Sequence, residues 1–580
     1  MKFIVFDFEV FRYNTLLGCK ILENNKEPKL FQTWNLNEIK EFYQEHQNDI
    51  WVGHNNSHYD NYILQAILMD QDPFLISKSI IEDRYKQKLI IKLNYYDLMS
   101  RHFCSLKVLE AQMGRNISES EVDFNLMREL TEEEKVKTES YNRDDLDQTY
   151  VDLKLLKSEI QLRFDIGREF NLDLNVLHYT EAQIAAKVLK AKRIDNVESL
   201  EYKPQLPSTL RIKNQIALKY YLNKEFEEIP SIKINVCGEE HILAKGGLHA
   251  AKKKYHCDWA YYFDVSGYYN LIMMLYNLFP RTIPEEGKKL YEFMYHEQLR
   301  LKKIDPVKRA VYKTILLAVF GASTNKYTDF YDPNKGKLVT ILGELFLIDL
   351  LEKLEGYVDL IQSNTDGIIA KPLPGVKDEK IKEICDEWQQ RTGFVLKFDK
   401  IYDIVQRDVN CYMYRDENGK IHVKGNAVKY YEQWDNPFPE DSHTYSTPYI
   451  IHYCIVEYYM NGIDPKDTVE KYKEQFRMFQ YICSPKSFDY LTLEDGKNIT
   501  KLQWINRVFA SKEPGTIYKN DAKRHNRYEN LPERCFVYNN SLKQDLLWKI
   551  DYDYYVQRAW EGIDEFRNNH EQLSLFDNLQ

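Results

Sequence analysis

The sequence predicts an α+β protein made of several domains. Its 580 residues are too many for a single hydrophobic core. Apolar stretches that read as buried strands, such as "FIVFDFEVF" at 3–11, occur together with long helical stretches, such as "ESYNRDDLDQTYVDLKLL" at 139–156. Hydrophobic residues make up 43% of the chain and charged residues 29%, which is typical of a globular protein.

Composition excludes several classes of protein. The nine cysteines contain no C-x-x-C pair, so neither a zinc site nor a disulfide framework is predicted. Asp7 and Glu9 interrupt the apolar N-terminus and exclude a good signal peptide. The apolar stretch "TILLAVFGA" at 314–322 is far short of the roughly 20 residues that a membrane span needs. We therefore expect a cytoplasmic protein that does not contact a membrane.

Charge is distributed unevenly along the chain. The formal net charge is −10, yet basic clusters occur at 251–256, 299–313 and 518–528. One such cluster is more often a solvated helix face. Three of them in an acidic chain favour a focused track for a polyanion such as DNA.

Acidic residues in the first third of the chain have the spacing of a metal site. Asp7 and Glu9 are two apart on a predicted strand and therefore point to the same face. Two adjacent carboxylates repel each other unless a proton or a divalent cation separates them, although this pair alone is equally compatible with an exposed edge. Asp60 follows a polar turn, and Tyr141 and Asp145 are at i and i+4 of a predicted helix.

The order D-x-E, N-x-x-x-Y-D and Y-x-x-x-D resembles the three motifs of DEDDy 3′–5′ proofreading exonucleases, over about residues 1–185. The resemblance implies a ribonuclease H-like domain with two Mg²⁺ or Mn²⁺ ions and a water molecule oriented by Tyr141. Asn55 gives the motif spacing and would contact DNA, while Asn56 fits a looser alignment. The implied metal ligands are Asp7, Glu9, Asp60 and Asp145. The segment "SLKVLEAQMG" at 105–114 is also similar to one in these nucleases, without an assigned role for Lys107.

A glycine pair, Gly246 and Gly247, lies in the middle of the chain. It resembles the glycine motif of family B DNA polymerases that joins the exonuclease and polymerase domains and contacts DNA. "YYFDVSGYYNLIMMLYNLFP" at 261–280 resembles motif A, in which Asp264 and Tyr269 match D-x-x-S-L-Y-P-S. The resemblance implies that Asp264 is a catalytic metal ligand and that Tyr269 lies beneath the incoming sugar and selects deoxynucleotides.

The stretch "RAVYKTILLAVFGASTNKY" at 309–327 resembles motif B. Lys313, Phe320 and Gly321 match K-x-x-x-N-S-x-Y-G, whereas Leu317 and Ala318 replace the usual Asn-Ser. Arg309 and Lys313 lie four residues apart on a predicted helix, so both side chains can bind the same anionic triphosphate. Arg300, on the preceding predicted helix, is a further candidate nucleotide-binding residue, and for it a solvated helix face is nearly as compatible.

A predicted hairpin turn, "QSNTDGIIA" at 362–370, resembles motif C, D-T-D-S. The second aspartate is present as Asp366, while Asn364 replaces the first and Gly367 replaces the serine. The resemblance implies that Asp264 and Asp366 hold two Mg²⁺ ions for nucleotidyl transfer. The change to Asn364 leaves catalysis plausible and is expected to reduce metal affinity.

Two further segments are expected to contact DNA. The pattern strand, Asn-Gly turn, strand at 407–430 resembles the K-x-Y and K-G hairpin of the palm–thumb border, matched by Tyr412, Lys424 and Gly425 but without the first lysine. The basic run at 518–528 is expected to grip duplex phosphates; its candidate residues are Lys523, Arg524 and Arg527.

The chain ends in a motif for protein binding. Gln572, Leu573, Leu575 and Phe576 match the Q-L-x-L-F peptide that bacterial sliding clamps bind, and a polar segment precedes them. A tail helix packed on the thumb is the alternative. If the match is functional, the host is bacterial and the protein is a phage replicative polymerase. The spacings between motifs A, B and C leave little room for the insertions of protein-primed members.

The resemblance covers nearly the whole chain and implies a monomer that binds primer–template DNA and dNTPs. Its domains would be an exonuclease at 1–185, linker and first palm part at 186–284, fingers at 285–321, second palm part at 322–430, a mostly helical thumb at 431–565 and the tail at 566–580. A rival hypothesis is an exonuclease whose degenerate polymerase half only holds DNA, which Asn364 and Leu317 favour. A non-catalytic, clamp-associated binding protein is disfavoured by the two sets of carboxylates.

Overall fold

The computed structural model describes residues 1–580 except 24–25, 86–87, 201, 245, 432, 434–446, 568–580 and the side chain of His102. The chain divides into two compact units. Unit 1 consists of Met1–His178, Glu432–Ile451 and Lys466–Gln557, and unit 2 of Tyr179–Tyr431, His452–Pro465 and Arg558–Gln580. The expected α+β chain with several domains is confirmed at this level, while the boundaries of palm, fingers and thumb stay a prediction. Within the described ranges, no helix has the length and apolar character needed to cross a bilayer.

The first part of unit 1 is a mixed sheet with helices. Its strands are β1 (Phe3–Val10), β2 (Thr15–Leu22), β3 (Lys29–Thr33), β4 (Ile50–Gly53) and β5 (Asn94–Asp97), in the order β3-β2-β1-β4-β5. Its helices are α1 (Leu36–His46), α2 (Asp60–Leu68), α3 (Pro73–Ile81), α4 (Met99–His102), α5 (Leu106–Gln112), α6 (Glu132–Leu155) and α7 (Lys157–Phe170). β1 lies antiparallel to β2 and parallel to β4, so it is the central strand. Ile4, Phe6 and Trp51 form part of the core beneath it.

The described part of unit 2 is built on a nine-stranded antiparallel sheet in the order β14-β13-β12-β9-β11-β10-β8-β7-β6. The strands are β6 (Ser231–Val236), β7 (Glu239–Ala244), β8 (Gly247–Ala251), β9 (Tyr255–Val265), β10 (Val358–Asn364), β11 (Gly367–Pro372), β12 (Leu396–Asp408), β13 (Cys411–Arg415) and β14 (Ile421–Lys424). The predicted hairpins at 362–370 and 407–430 are present as β10–β11 and β13–β14.

In the described part of Tyr179–Tyr431, unit 2 also contains seven α-helices. They are α8 (Glu181–Val188), α9 (Gln215–Leu222), α10 (Tyr268–Leu275), α11 (Glu285–Arg300), α12 (Pro306–Ser323), α13 (Pro333–Leu354) and α14 (Asp378–Thr392). α12 and α13 both begin with Asp-Pro, and the carboxylates of Asp305 and Asp332 accept hydrogen bonds from the backbone N–H of the first turn. α13 is buried along most of its length and packs against α10 and β8.

The rest of the chain corrects one expectation. It forms α15 (Tyr449–Asn461), α16 (Pro465–Tyr472), β15 (Tyr481–Cys483), β16 (Tyr490–Glu494), β17 (Ile499–Lys501), β18 (Asn506–Ala510), β19 (Thr516–Asn520), β20 (His525–Arg527), β21 (Cys535–Val537) and α17 (Tyr552–Phe566). The prediction of a mostly helical 431–565 is therefore wrong for Tyr481–Val537, where seven strands form two small sheets. Short apolar runs alternate here with turns, such as that at Gly496 (φ 84°), which no helix accommodates.

Arg507 on β18 connects this strand region to the segment that follows α5 within unit 1. The side chain is fully buried, and it donates to the side-chain oxygen of Gln480 and to several backbone carbonyls. The carbonyl acceptors within 3.2 Å are those of Ala111, Arg115, Tyr538 and Asn540. Since buried carbonyls need partners, this guanidinium ties distant parts of unit 1 together.

We expect Arg507→Leu to lower the free energy of unfolding by about 3 kcal/mol or more, because several buried acceptors lose their donor at once. Urea titration measures the effect. Arg534→Leu is the control, since Arg534 is exposed and donates only to the carbonyl of Lys512 at 3.3 Å among the hydrogen bonds described. Equal stability of the two variants would contradict the proposed structural role of Arg507.

Candidate active sites

Three of the predicted metal ligands meet in unit 1. Asp7 and Glu9 lie on one face of β1, and Asp145 projects from α6, which packs against β1. One carboxylate oxygen from each residue lies within 4.8 Å of the other two. We call Asp7, Glu9 and Asp145 the carboxylate cluster. Asn142, one turn before Asp145 on α6, donates to Oδ2 of Asp7 at 3.0 Å and fixes its orientation.

The electrostatics of the carboxylate cluster fit a divalent cation. Burial, together with the charge of Asp145, raises the pKa of Asp7 to about 7. Burial and the charge of Asp7 also raise the pKa of Glu9 well above its usual value. Oε1 of Glu9 is buried and has no hydrogen-bond partner among the described residues. A hard cation with oxygen ligands, such as Mg²⁺ or Mn²⁺, would satisfy this oxygen and remove the repulsion.

Lys107, which has no role assigned from the sequence, contacts the cluster. Its Nζ lies 2.5 Å from Oδ1 of Asp145 and 3.2 Å from Oε1 of Glu110. It also lies 4.6 Å from the ring centroid of Tyr141, whose hydroxyl is hydrogen-bonded to Asp145. Burial and the charge of Asp145 raise the pKa of Tyr141, so the hydroxyl stays protonated and can donate. The similarity at 105–114 was the signal for Lys107 in the sequence.

Asp60 lies next to the cluster but is not one of its three members. It begins α2, and its Oδ1 accepts a hydrogen bond from the backbone N–H of Phe8 at 3.1 Å. Burial and the charge of Asp7 raise its pKa well above the usual value. The predicted role of Asp60 as a metal ligand therefore stays a prediction.

The turn before Asp60 distinguishes Asn55 from Asn56. The carboxylate of Asp97 accepts hydrogen bonds from the backbone N–H groups of Asn55 and Ser57, at 2.9 and 3.1 Å. Asn55 adopts a left-handed conformation (φ 66°) and is partly exposed. Asn56 is fully buried, and its side chain donates to Asn61. Of the two, only Asn55 has exposed surface, and its contact with DNA stays a prediction.

The second site lies on the sheet of unit 2. β11 pairs with β9 so that Gly367 is directly opposite Asp264, which places Asp366 beside it. The backbone N–H of Val265 donates to the carbonyl of Asp366 at 3.0 Å. We call Asp264 and Asp366 the aspartate pair. Burial and the charge of Asp264 raise the pKa of Asp366, and Nζ of Lys397 lies 2.9 Å from Oδ2 of Asp264. Two close carboxylates with partial solvent access are suited to binding divalent cations.

Asn364 and the glycines hold the turn that carries Asp366. Nδ2 of Asn364 donates to the carbonyl of Val409 at 3.1 Å, and its Oδ1 accepts from the hydroxyl of Thr365 at 3.1 Å. Gly247 (φ 123°) approaches the turn so closely that a Cβ there would lie 3.0 Å from Oγ1 of Thr365. Gly246 is exposed. Gly247 therefore supports the turn, while DNA binding by the glycine pair stays a prediction.

The predicted nucleotide-binding residues occupy α10, α11 and α12. The ring of Tyr269 on α10 stacks on that of Phe320 on α12, with centroids 4.2 Å apart. Lys313 is exposed, and Nε of Arg309 is buried without a hydrogen-bond partner in the described part of the chain. Arg300 is exposed and forms an ion pair with Glu297 of its own helix at 2.7 Å. The stack connects Tyr269 to the helix that carries Arg309 and Lys313.

The hairpin β13–β14 lies at the far edge of the same sheet. Tyr412 is mostly buried, and Nζ of Lys424 lies 5.9 Å from its ring centroid. The charge of Lys424 favours the ionised form of Asp366 and opposes the rise in the pKa of that carboxyl. At Gly425 (φ 103°) a Cβ would lie 2.1 Å from the carbonyl of Asn410, so no other residue fits.

The basic hairpin β19–β20 belongs to unit 1. Arg524 pairs with Asp521 at 2.5 Å, and Arg527 pairs with Glu533 at 3.0 Å. Lys523 is exposed and forms no ion pair among the described residues. DNA binding by these three cations stays a prediction. The clamp-binding peptide, with Gln572, Leu573, Leu575 and Phe576, lies outside the described residues.

Comparisons with known proteins give similarities of fold to solved structures. No protein-family model and no curated protein matches the chain. Among solved structures, it is similar to the family B DNA polymerase from the hyperthermophilic archaeon Pyrobaculum calidifontis, with a TM-score of 0.43 and 13% identity. The similarity covers 98% of this chain and 78% of the archaeal chain. A TM-score below 0.5 does not establish a shared function, so function is inferred from the two sites and from the sequence motifs.

From the carboxylate cluster we predict that the stability of the metal-free protein, prepared in EDTA, depends on pH. Since the folded-state pKa of Asp7 is raised from 3.8 to about 7, the folded protein retains a proton that the unfolded chain loses in this window. The free energy of unfolding should therefore fall as the pH rises from about 4 to about 7. We expect Asp7→Asn to reduce that fall by about 1 kcal/mol or more, measured by urea titration.

Asp144→Asn is the matched control, because Asp144 is an exposed carboxylate on α6 beside Asp145. It should leave the pH dependence of the wild type unchanged. A pH dependence of Asp7→Asn identical to that of the wild type would contradict the protonation of Asp7 in the metal-free protein.

Proposed function

We propose that the chain is a family B DNA polymerase that extends a primer with dNTPs and proofreads with a 3′–5′ exonuclease. The observation that carries the proposal is the pairing of β11 with β9, which places Asp366 beside Asp264. Stacking of Tyr269 on Phe320 connects α10, which follows Asp264 closely in sequence, to α12, which carries Arg309 and Lys313. In this proposal the nine-stranded sheet is the palm, and α11 and α12 form the fingers.

The aspartate pair would hold two Mg²⁺ ions, which when bound lower the pKa of the primer hydroxyl and stabilise the pyrophosphate leaving group. Arg309 and Lys313 would bind the triphosphate, because cations one helical turn apart can contact neighbouring phosphoryl groups. Tyr269 would support the sugar and exclude a 2′-hydroxyl. Asn364 has its amide engaged by the carbonyl of Val409, so its role would be to hold the turn.

The carboxylate cluster would carry out the proofreading hydrolysis with two Mg²⁺ or Mn²⁺ ions and a ribonuclease H-like fold. Tyr141 would orient the attacking water, and Lys107 would fix Asp145 through the contact at 2.5 Å. Lys107 also supplies the positive charge that partly balances three crowded carboxylates. Each catalytic set would thus belong to a different unit, which allows the two activities to be inactivated separately.

The biological setting is part of the same proposal. The peptide at 572–576 would tether the polymerase to a bacterial-type sliding clamp, and the enzyme would replicate phage DNA in the host cytoplasm as a monomer. The basic hairpin β19–β20, through Lys523 above all, would add salt-sensitive contacts with DNA phosphates. These statements are supported by the sequence motifs.

The central test is extension of a 5′-labelled primer on a DNA template with Mg²⁺. Asp366→Ala should lower extension by roughly 100-fold or more, because a metal ligand is lost, while degradation without dNTPs continues. Asp7→Ala combined with Glu9→Ala should lower degradation of the primer without dNTPs while extension continues. Asp359→Ala is the matched control, since Asp359 is on the same hairpin but pairs with Lys252. If the Asp7→Ala, Glu9→Ala protein does not extend the primer, the polymerase half only holds DNA.

A second prediction concerns the sugar of the incoming nucleotide. Tyr269→Ala should raise incorporation of ribonucleotides relative to deoxynucleotides by roughly ten- to hundredfold, because a steric clash of about 1–3 kcal/mol is removed. Single-nucleotide insertion of dATP and ATP opposite template thymine measures the ratio. Tyr268→Phe is the control, since Tyr268 is buried and its hydroxyl donates to the carbonyl of Gly343. An unchanged ratio in Tyr269→Ala would rule out the proposed role.

A further inference from the structure

A cationic pocket lies in unit 2, at the opposite end of α10 from Tyr269. Its volume is about 710 Å³, which is in the range of small-molecule sites. It is bounded by the segment 202–207, the end of α10, α11 and the first turns of α13. The described residues that line it include four cations, Lys203, Arg281, Lys288 and Lys335, and no carboxylate. We call it the α10–α13 pocket.

Two of the lining lysines, Lys288 and Lys335, make long contacts with Asn277. Nζ of Lys335 lies 3.5 Å from the backbone carbonyl of Asn277, and Nζ of Lys288 lies 3.5 Å from Oδ1 of the same residue. Lys288 has one stronger partner, Glu285, at 2.6 Å, whose side chain is 77% exposed. Both ammonium groups thus retain the capacity to bind an anion.

Arg281 fixes the electrostatics of the pocket wall. Its guanidinium forms a bidentate ion pair with the fully buried Asp332, with two N–O distances of 2.8 Å. Burial lowers the pKa of Lys335; the charge of Asp332 opposes this decrease, and the positive charges of Arg281 and Lys288 add to it. Asp332 neutralises Arg281, whereas Lys335 forms no ion pair with a carboxylate among the described residues. A bound anion would therefore supply the counter-charge that Lys335 lacks.

Tyrosine rings that are already held in place form the other walls. The ring of Tyr276 stacks on Phe346 with centroids 5.5 Å apart, and its hydroxyl is 2.9 Å from that of Thr209. The hydroxyl of Tyr221 donates to the carbonyl of Gln205 at 3.2 Å. Fixed aromatic surfaces beside ammonium groups match a planar base joined to a phosphate.

We propose that the α10–α13 pocket binds a nucleotide through its phosphate, either a free nucleotide or the phosphorylated end of a DNA strand. Lys288 and Lys335 would contact the phosphate, and Tyr276 would contact the base or sugar. The pocket is separate from the predicted dNTP site, because Tyr276 and Tyr269 are roughly 10 Å apart along α10. Binding here does not depend on polymerase activity.

The experiment is calorimetric titration of the full-length protein with dATP in EDTA, which suppresses metal-dependent binding at the aspartate pair. The wild type should bind dATP, and Lys335→Gln and Lys288→Gln should each weaken binding by roughly ten- to hundredfold, as expected for a lost charged hydrogen bond. Lys337→Gln is the matched control on α13, because Lys337 does not line the pocket. Lys313→Gln should also leave this binding unchanged.

Two further measurements define the ligand and the fold of the variants. Deoxyadenosine, which lacks a phosphate, should not bind. A 5′-phosphorylated oligonucleotide that binds better than its 5′-hydroxyl form would identify a strand end, and equal affinities would identify a free nucleotide. Lys335→Gln should unfold at the same temperature as the wild type or higher, because a partly desolvated cation is removed.

The proposal is overturned if the wild type does not bind dATP in EDTA. It is also overturned if Lys313→Gln abolishes binding while Lys335→Gln and Lys288→Gln do not, since the nucleotide would then occupy α12. Unchanged binding together with a lower unfolding temperature in Lys335→Gln would assign Lys335 a structural role at Asn277. None of these outcomes bears on primer extension, which tests the polymerase separately.

Discussion

Mutual repulsion between neighbouring carboxylates is the constraint around which both candidate sites are built. Rigid backbone geometry holds the acids together against this repulsion. In unit 1 the two-residue repeat of the central strand β1 aligns Asp7 with Glu9, and the packing of α6 adds Asp145. In unit 2 the register of β9 with β11 brings Asp264 and Asp366 together. Core packing beneath these strands therefore stabilises an arrangement that the charges alone would drive apart.

The two sites relieve the repulsion in different ways. The carboxylate cluster is deeply buried, so its acids retain protons at higher pH, and Lys107 supplies one compensating charge. The aspartate pair is partly exposed and has Lys397 at 2.9 Å from Asp264, so solvent can screen part of the remaining charge. Cation binding should therefore alter the stability of unit 1 more strongly than that of unit 2.

Local patterns in the sequence were sufficient to predict the spacing of the acids within each segment. They were not sufficient to predict contacts between distant segments. The D-x-E spacing, the i and i+4 pair on α6 and the β10–β11 turn follow from strand and helix periodicity. Nothing local indicates that Asp97 holds the turn at Asn55 or that Gly247 supports Thr365, since tertiary packing creates both contacts. The strands at 481–537 were missed because the expectation there came from the resemblance rather than from the short runs themselves.

Asn364 shows how the turn of the aspartate pair keeps its shape without a second acid. An asparagine side chain can donate through Nδ2 and accept through Oδ1 at once, and here it does both, to Val409 and from Thr365. An ionised aspartate could not donate to the carbonyl of Val409, and it would add a third negative charge beside Asp264 and Asp366. The structure thus uses a neutral residue to fix the turn and leaves the charge on Asp264 at the end of β9 and on Asp366 in the turn before β11.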